Sequence, residues 1–377
     1  MKATIKTFLI LLIFAILPVI LIWLPFYLRV NRFWNIPLPQ NGMATVVSNF
    51  DGPLYIVAAK TLYNPEEIVK NYQFPLKAEY YSAHYPLYPI FIRVFAYLLG
   101  SPYSMLFTTI LFSFIAILFF YKHAKLYLNE SNALWLTFVF SIFPARWLIV
   151  RSIGSPEPLF LASILASTYF FGQKKYLLAG LWGMLAQMTK SPAILLFGAY
   201  AIQILIENFK NLSFNGLKKY IPLILAPLGL LIVFGIYKLQ YNDFFVYFKS
   251  GDNIHLFFPP FQIFNSSEPW VGTFWLEEII FIYLALILGI YKLYKEKLNT
   301  YFYFVLVFSF PLFFVSHRDL LRYALPVVPF LLLGFKDVIN KKEFKIAIFV
   351  LLIPIYLYSI TFISQNTMPI SNWSPFL

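Results

Sequence analysis

Apolar residues run along this chain in long blocks separated by short polar segments. Blocks long enough to span a bilayer, or nearly so, fall at about 6–28, 103–121, 131–150, 155–171, 176–189, 191–207, 220–241, 276–293, 300–316, 320–335 and 346–363. A hydrocarbon core about 30 Å thick asks for roughly 20 residues of helix, so the pattern predicts an all-α polytopic membrane protein with about eleven transmembrane helices. The whole of 1–377 reads as one transmembrane domain. The stretch 85–99, YPLYPIFIRVFAYLL, is shorter and interrupted by proline, which predicts a helix lying in the interface or re-entering from it. The first block follows Lys2 and Lys6 as a signal peptide would. From Phe8 to Leu28, however, it is longer than a usual signal core and no small-residue cleavage pattern follows, so it is read as an uncleaved span.

Alternating crossings leave two sizeable loops, 29–102 and 242–275, on one side, and only short segments on the other. In the first loop, Asn64-Pro65-Glu66-Glu67 predicts a helix start, with Asn64 as cap and Glu67 placed to close a capping box. The second loop mixes aromatics with Pro, Ser, Gly and isolated charges, which suits the bilayer surface or the mouth of a cavity.

Composition agrees with the pattern: 60% of residues are hydrophobic and 12% charged, which excludes a water-soluble domain and makes membrane lipid the surrounding partner. Cysteine is absent, so neither a disulfide framework nor thiol chemistry is available. With the N-terminus inside, the short loops and adjoining helix ends hold sixteen lysines against five carboxylates, while the other face holds thirteen basic and eleven acidic residues. The net charge of +13 is then an orientation signal, and nucleic acid is not an expected partner. All seven arginines (Arg29, Arg32, Arg93, Arg146, Arg151, Arg318 and Arg322) fall on the outer side. Arginine suits either an interfacial helix end or bidentate capture of phosphate, and the pairs Arg146/Arg151 and Arg318/Arg322 at two junctions favour an outward-facing anion site.

Four blocks then carry a resemblance by their order: NFDGPLYIVAAKTLY, HYPLYPIFIRVFAYLLG, RSIGSPEPLFLASILASTYFFGQKKYLLAGLWGMLAQMTKSPAILL and RDLLRYALPVVPFLLLG. Together they resemble the GT-C class of membrane glycosyltransferases, and within it the PIG-V type, the GPI mannosyltransferase 2 family with its prokaryotic relatives. The matching positions are Phe50-Asp51, Ile56, Ala58 and Tyr63, then Tyr85 to Pro89 with Ile92 and Arg93, then Ser155, Glu157, Leu159 and Phe160, and finally Arg322, Tyr323, Leu325 and Pro326. The chain has Gly52-Pro53 where that family usually has Ser or Ala, and Lys190-Ser191 where it has Arg-Ser. The resemblance implies a GT-C-like fold with interfacial helices in the first outer loop. It also implies an inverting transfer of a sugar, mannose being the expected one, from a polyprenyl-phosphate donor to an extracytoplasmic glycan, lipid or protein acceptor.

Such a donor brings its own leaving group, so one base suffices, and a cation must steady the phosphate as it departs. Asp51 is read either as that base or as a plain cap for the helix beginning at Gly52-Pro53. Arg146, Arg151, Arg318 and Arg322 are candidates for the phosphate or else interfacial anchors, and Glu157 either pairs with Arg151 or faces substrate. His84 reads as a sugar contact or a metal ligand, although no second ligand stands at a recognisable spacing and no cofactor is expected. Tyr85, beside it, is a substrate contact by resemblance, and Lys190 is a substrate contact or a snorkelling helix end. A Gly-rich phosphate loop and a paired-aspartate motif are both missing, which favours a lipid-linked donor over a nucleotide sugar. The alternative reading is a transporter or flippase of lipid-linked saccharides. It would need polar residues near the middle of several spans, where the chain is mostly clean. The expected place is the cell membrane, with a cytoplasmic N-terminus and an extracytoplasmic site.

Overall fold

A computed structural model describes residues 5–72, 74–209, 214–251, 255–271 and 276–377. Lys2 and Lys210, counted above on the inner face, and the parts 252–254 and 272–275 of the second outer loop lie outside the described residues. The fold is all-α apart from one antiparallel ribbon, Arg32–Phe33 with Ile36–Pro37, whose two turn residues Trp34 and Asn35 both have positive φ.

Among the described residues, five helices are long and apolar enough to cross a membrane: Ile5–Tyr27, Ser101–Ala124, Ser191–Asn208, Lys218–Tyr241 and Lys342–Gln365. In the first of them the buried side chains Thr7, Leu11, Ala15, Val19, Ile22 and Phe26 recur every three or four residues, while Leu9, Ile13, Leu17, Ile20 and Leu24 are exposed and equally apolar. A stripe packed on protein with an apolar remainder is what lipid-facing helices require. Glu277–Lys295 is a further 19-residue helix with Glu277 and Glu278 at its start and Lys292 and Lys295 at its end.

Other blocks form shorter pieces. Glu157–Gly172 has 16 residues and Tyr176–Thr189 has 14. At 1.5 Å per residue these reach only about 24 and 21 Å, less than a hydrocarbon core. The first can be short because neighbours cover it: Glu157–Gly172 is buried at every position from Glu157 to Thr168. Close packing depends on small residues, as at Gly180, where an added Cβ would lie 2.0 Å from the Pro222 carbonyl oxygen.

Prolines divide two of the expected spans. Over 131–150 the chain forms Glu130–Ile142, an extended Phe143 and the short helix Ala145–Val150, because Pro144 has no N–H and drives the residue before it out of the helical region. Over 320–335, Pro326 and Pro329 separate Leu320–Ala324, Leu325–Val327 and Val328–Gly334. Near these breaks stand Arg146 and Arg322. In the first outer loop, Gly52–Thr61 and Pro65–Asn71 are helices, and Leu87–Leu99 is a third that buries only Leu87, Tyr88, Pro89 and Ile92. Asn64 caps Pro65–Asn71 through the Glu66 and Glu67 amides at 2.9 and 3.2 Å. Its own amide donates to Thr61 O, so the reciprocal half of the expected capping box, from Glu67, is supplied by backbone instead.

Candidate active site

The chain reaches Asp51 through a left-handed turn. Phe50 has φ 50°, a conformation that costs a residue with a Cβ about 1–2 kcal/mol and persists only where its surroundings impose it. Asp51 then stands at the N-cap of Gly52–Thr61, where its carbonyl accepts from Leu54 N–H at 2.9 Å and Tyr55 N–H at 3.2 Å. Its carboxylate makes no capping hydrogen bond, so the reading of Asp51 as a plain cap is not what the structure has. The side chain remains 40% exposed, with Oδ2 3.7 Å from Arg322 Nη2.

Arg322 is a hub. Its Nε donates to Glu157 Oε1 at 2.7 Å, and its guanidinium lies 4.5 Å from the centre of the Phe50 ring. Glu157, at the first turn of its helix and 2% exposed, also takes Lys190 Nζ on Oε1 at 2.8 Å and the Ser155 hydroxyl on Oε2. A carboxylate so deeply buried must be paired, and two cations and a hydroxyl do this. Of the two readings of Glu157, the pair with Arg151 is not formed; Arg322 and Lys190 are its partners. Ser155 is itself fixed, because its amide donates to Tyr88 Oη at 3.0 Å and that hydroxyl lies 2.7 Å from Thr109 Oγ1. The loop carrying Ser155 packs closely enough that a Cβ on Gly154 would fall 2.3 Å from Met105 Sδ. Tyr88 thus connects the aromatic-proline block to the glutamate.

Arg146 also lies against Phe50, 5.6 Å from its ring centre; it is 8% exposed, with Nη2 2.8 Å from Asp319 Oδ1 and its guanidinium 3.9 Å above the Phe362 ring. Its Nη1 is buried with no partner. Burial pushes the Asp319 carboxyl above its ordinary range, and the Arg146 and Arg322 guanidiniums oppose that rise. His84 is 4% exposed, packed edge-on to Tyr55 at 4.7 Å, with Nδ1 buried and unpartnered. Burial holds its imidazole below the usual range, with the Asp51 charge opposing in part.

The structure therefore brings Asp51, Glu157, Lys190, Arg322 and Arg146 together, with His84 one ring away. Three expected site residues are placed otherwise. Arg151 is 0% exposed and donates to backbone oxygens of Phe14 at 2.9 Å, Ala15 and Ser141. Arg318 is exposed on the loop before Asp319. Tyr85 is buried in an aromatic stack, 5.4 Å from the Tyr247 ring and 6.3 Å from Tyr237. Asp319, Ser155, Phe50 and Phe362 complete the site and were not singled out from sequence for a role in it. Asp319 had a signal, since it lies three residues before Arg322 with only Leu320 and Leu321 between them. Among the described residues no group of three or more His, Asp or Glu could hold a metal ion.

Two cavities lie outside this cluster. One, of about 470 Å³, is apolar and runs between the first and last long helices past Leu17, Leu21, Trp34, Leu148 and Tyr356. Leu148 is two residues from Arg146. The other, of about 270 Å³, is lined by Tyr127, Thr168, Gln173 and Tyr301 beside Gly172, about 22 Å along its helix from Glu157. Neither any model of a known protein family nor any curated protein matches this chain.

Proposed function

We propose that this chain is an inverting glycosyltransferase of the GT-C class, PIG-V-like, moving a sugar, with mannose the expected one, from a polyprenyl-phosphate donor to an extracytoplasmic acceptor. The eleven-crossing topology with a cytoplasmic N-terminus belongs to the same proposal. The acceptor hydroxyl oxygen attacks the anomeric carbon from the face opposite the phosphate, and the bond from that carbon to the phosphate oxygen breaks. The hydroxyl proton passes to Asp51, and the polyprenyl phosphate leaves with the electron pair. Arg146 is the cation for the departing phosphate, because its Nη1 has an unfilled donor while Asp319 and Phe362 hold the group in place. Arg322 and Lys190 are committed to Glu157, so Glu157 organises the cations. The apolar groove past Leu148 offers a place for the first units of the lipid tail.

The observation that carries this reading is the Asp51 carboxylate, exposed and unused by its own helix although it stands at the capping position, with the paired guanidiniums of Arg146 and Arg322 both against the neighbouring Phe50 ring. A flippase is less favoured, because the paired charges lie at helix starts and breaks. The test is transfer from labelled polyprenyl-phosphate mannose by the purified, reconstituted protein. Asp51→Asn should keep donor binding and lower kcat by about 10²–10⁴-fold. Equal transfer by the two proteins would remove Asp51 from the mechanism.

A further inference from the structure

The segment 362–368, which sequence reading left without a role, touches both halves of the site. Residue by residue it runs alongside 48–50: Met368 N–H donates to Ser48 O at 2.8 Å, Asn49 and Thr367 form an antiparallel bridge, and Phe50 N–H donates to Asn366 O at 3.2 Å. Asn49, 0% exposed, adds Nδ2 to Ile363 O at 2.6 Å. These bonds bracket the left-handed Phe50 and so set the direction in which Asp51 leaves the turn. Phe362, at the start of the same segment, lies 5.4 Å from the Phe50 ring and forms the floor under Arg146.

We propose that residues 362–368 are a positioning strap for the site, in which Asn49 sets Asp51 and Phe362 sets Arg146. Neither is a catalytic residue. Asn49 acts through the backbone of Phe50, and Phe362 acts through the face it offers to a guanidinium, an attraction that also orients the planar group. This inference rests on the glycosyltransferase reading and adds to it that base and phosphate cation are held by one element distant in sequence. Because the two residues address different groups, their loss should separate in kinetics. A misplaced base lowers kcat, whereas a misplaced phosphate contact weakens donor binding.

The experiment compares wild type, Asn49→Ala and Phe362→Ala in the reconstituted assay, per folded molecule. Asn49→Asp, which keeps the size and removes the N–H donor, stands in if Asn49→Ala does not fold. The Asn49 variant should lose about tenfold or more in kcat with donor KM within about twofold, and Phe362→Ala should raise donor KM about tenfold. Variants that lose folded protein alone, with kcat and KM per folded molecule unchanged, would make the strap merely structural and overturn the proposal. Hydrogen exchange provides a readout that needs no activity. The Phe50 and Met368 amides should be protected in wild type and released in the Asn49 variant, while the Gly52–Thr61 helix stays protected. Free exchange of those two amides in wild type would overturn the strap. Protected amides in a protein that transfers no sugar would instead count against the glycosyltransferase reading alone.

Discussion

At the residue scale the site is decided by which polar groups find partners. Glu157 is satisfied by three groups and Arg322 by two carboxylates, whereas Asp51 keeps an exposed carboxylate and Arg146 an open donor. His84 shows how burial becomes a pH dependence. Its folded-state affinity for a proton is lowered, chiefly by burial, so the unfolded chain protonates first as the pH falls. Stability from this residue is therefore full above about pH 6.5 and declines below it by up to about 1.4 kcal/mol per unit. Solubilised protein should lose thermal stability as the pH falls below about 6.5, and His84→Phe should be flatter across that window. A wild-type curve level through that window would mean that the folded protein accepts the proton as readily as the unfolded chain.

At the scale of elements, the recurring device is a proline break repaired by a cation or an aromatic. Pro18 inside Ile5–Tyr27 has no N–H to give to Phe14 O, and Arg151 gives one instead while reaching Ser141 O near the end of Glu130–Ile142. Arg151 is thus a staple between two helices. Arg151→Leu should lower stability by about 2–4 kcal/mol, read as a fall in thermal midpoint in detergent, with donor KM per folded molecule unchanged. Loss of donor affinity at unchanged stability would return Arg151 to the phosphate site.

Over the whole molecule the two ends differ in chemistry. Glu157 begins a helix at the ion-paired end, and Gly172 ends it beside Lys174 and Lys175. In the orientation proposed from the positive-inside rule, the lysine end faces the cytoplasm. Since the chain contains no cysteine, single replacements report sidedness without background. Exposed Lys174→Cys should react with an impermeant maleimide only from the cytoplasmic side, and exposed Phe245→Cys only from the other. The reverse labelling would invert the proposed orientation.

Much was legible before any coordinates, because apolar block length, lysine placement and proline position act locally and are written in order along the chain. An all-α protein with helices long enough for a membrane follows from those alone, whereas 131–150 and 320–335 read as unbroken spans and are divided at Pro144 and at Pro326 and Pro329. Which arginine pairs with which carboxylate does not follow, since Glu157 meets a residue 165 positions away and Asn49 one 314 positions away. Asp319 acquires a role only when its turn meets Arg146, and Phe362 only when the last helix lies against Phe50 and Arg146. Arg151 read in sequence as a phosphate ligand or an anchor, and its bonds to the Phe14, Ala15 and Ser141 carbonyls gave it another task. Periodicity records what each segment buries, whereas the identity of the burying partner depends on how all the helices close together, and that is a property of the tertiary structure alone.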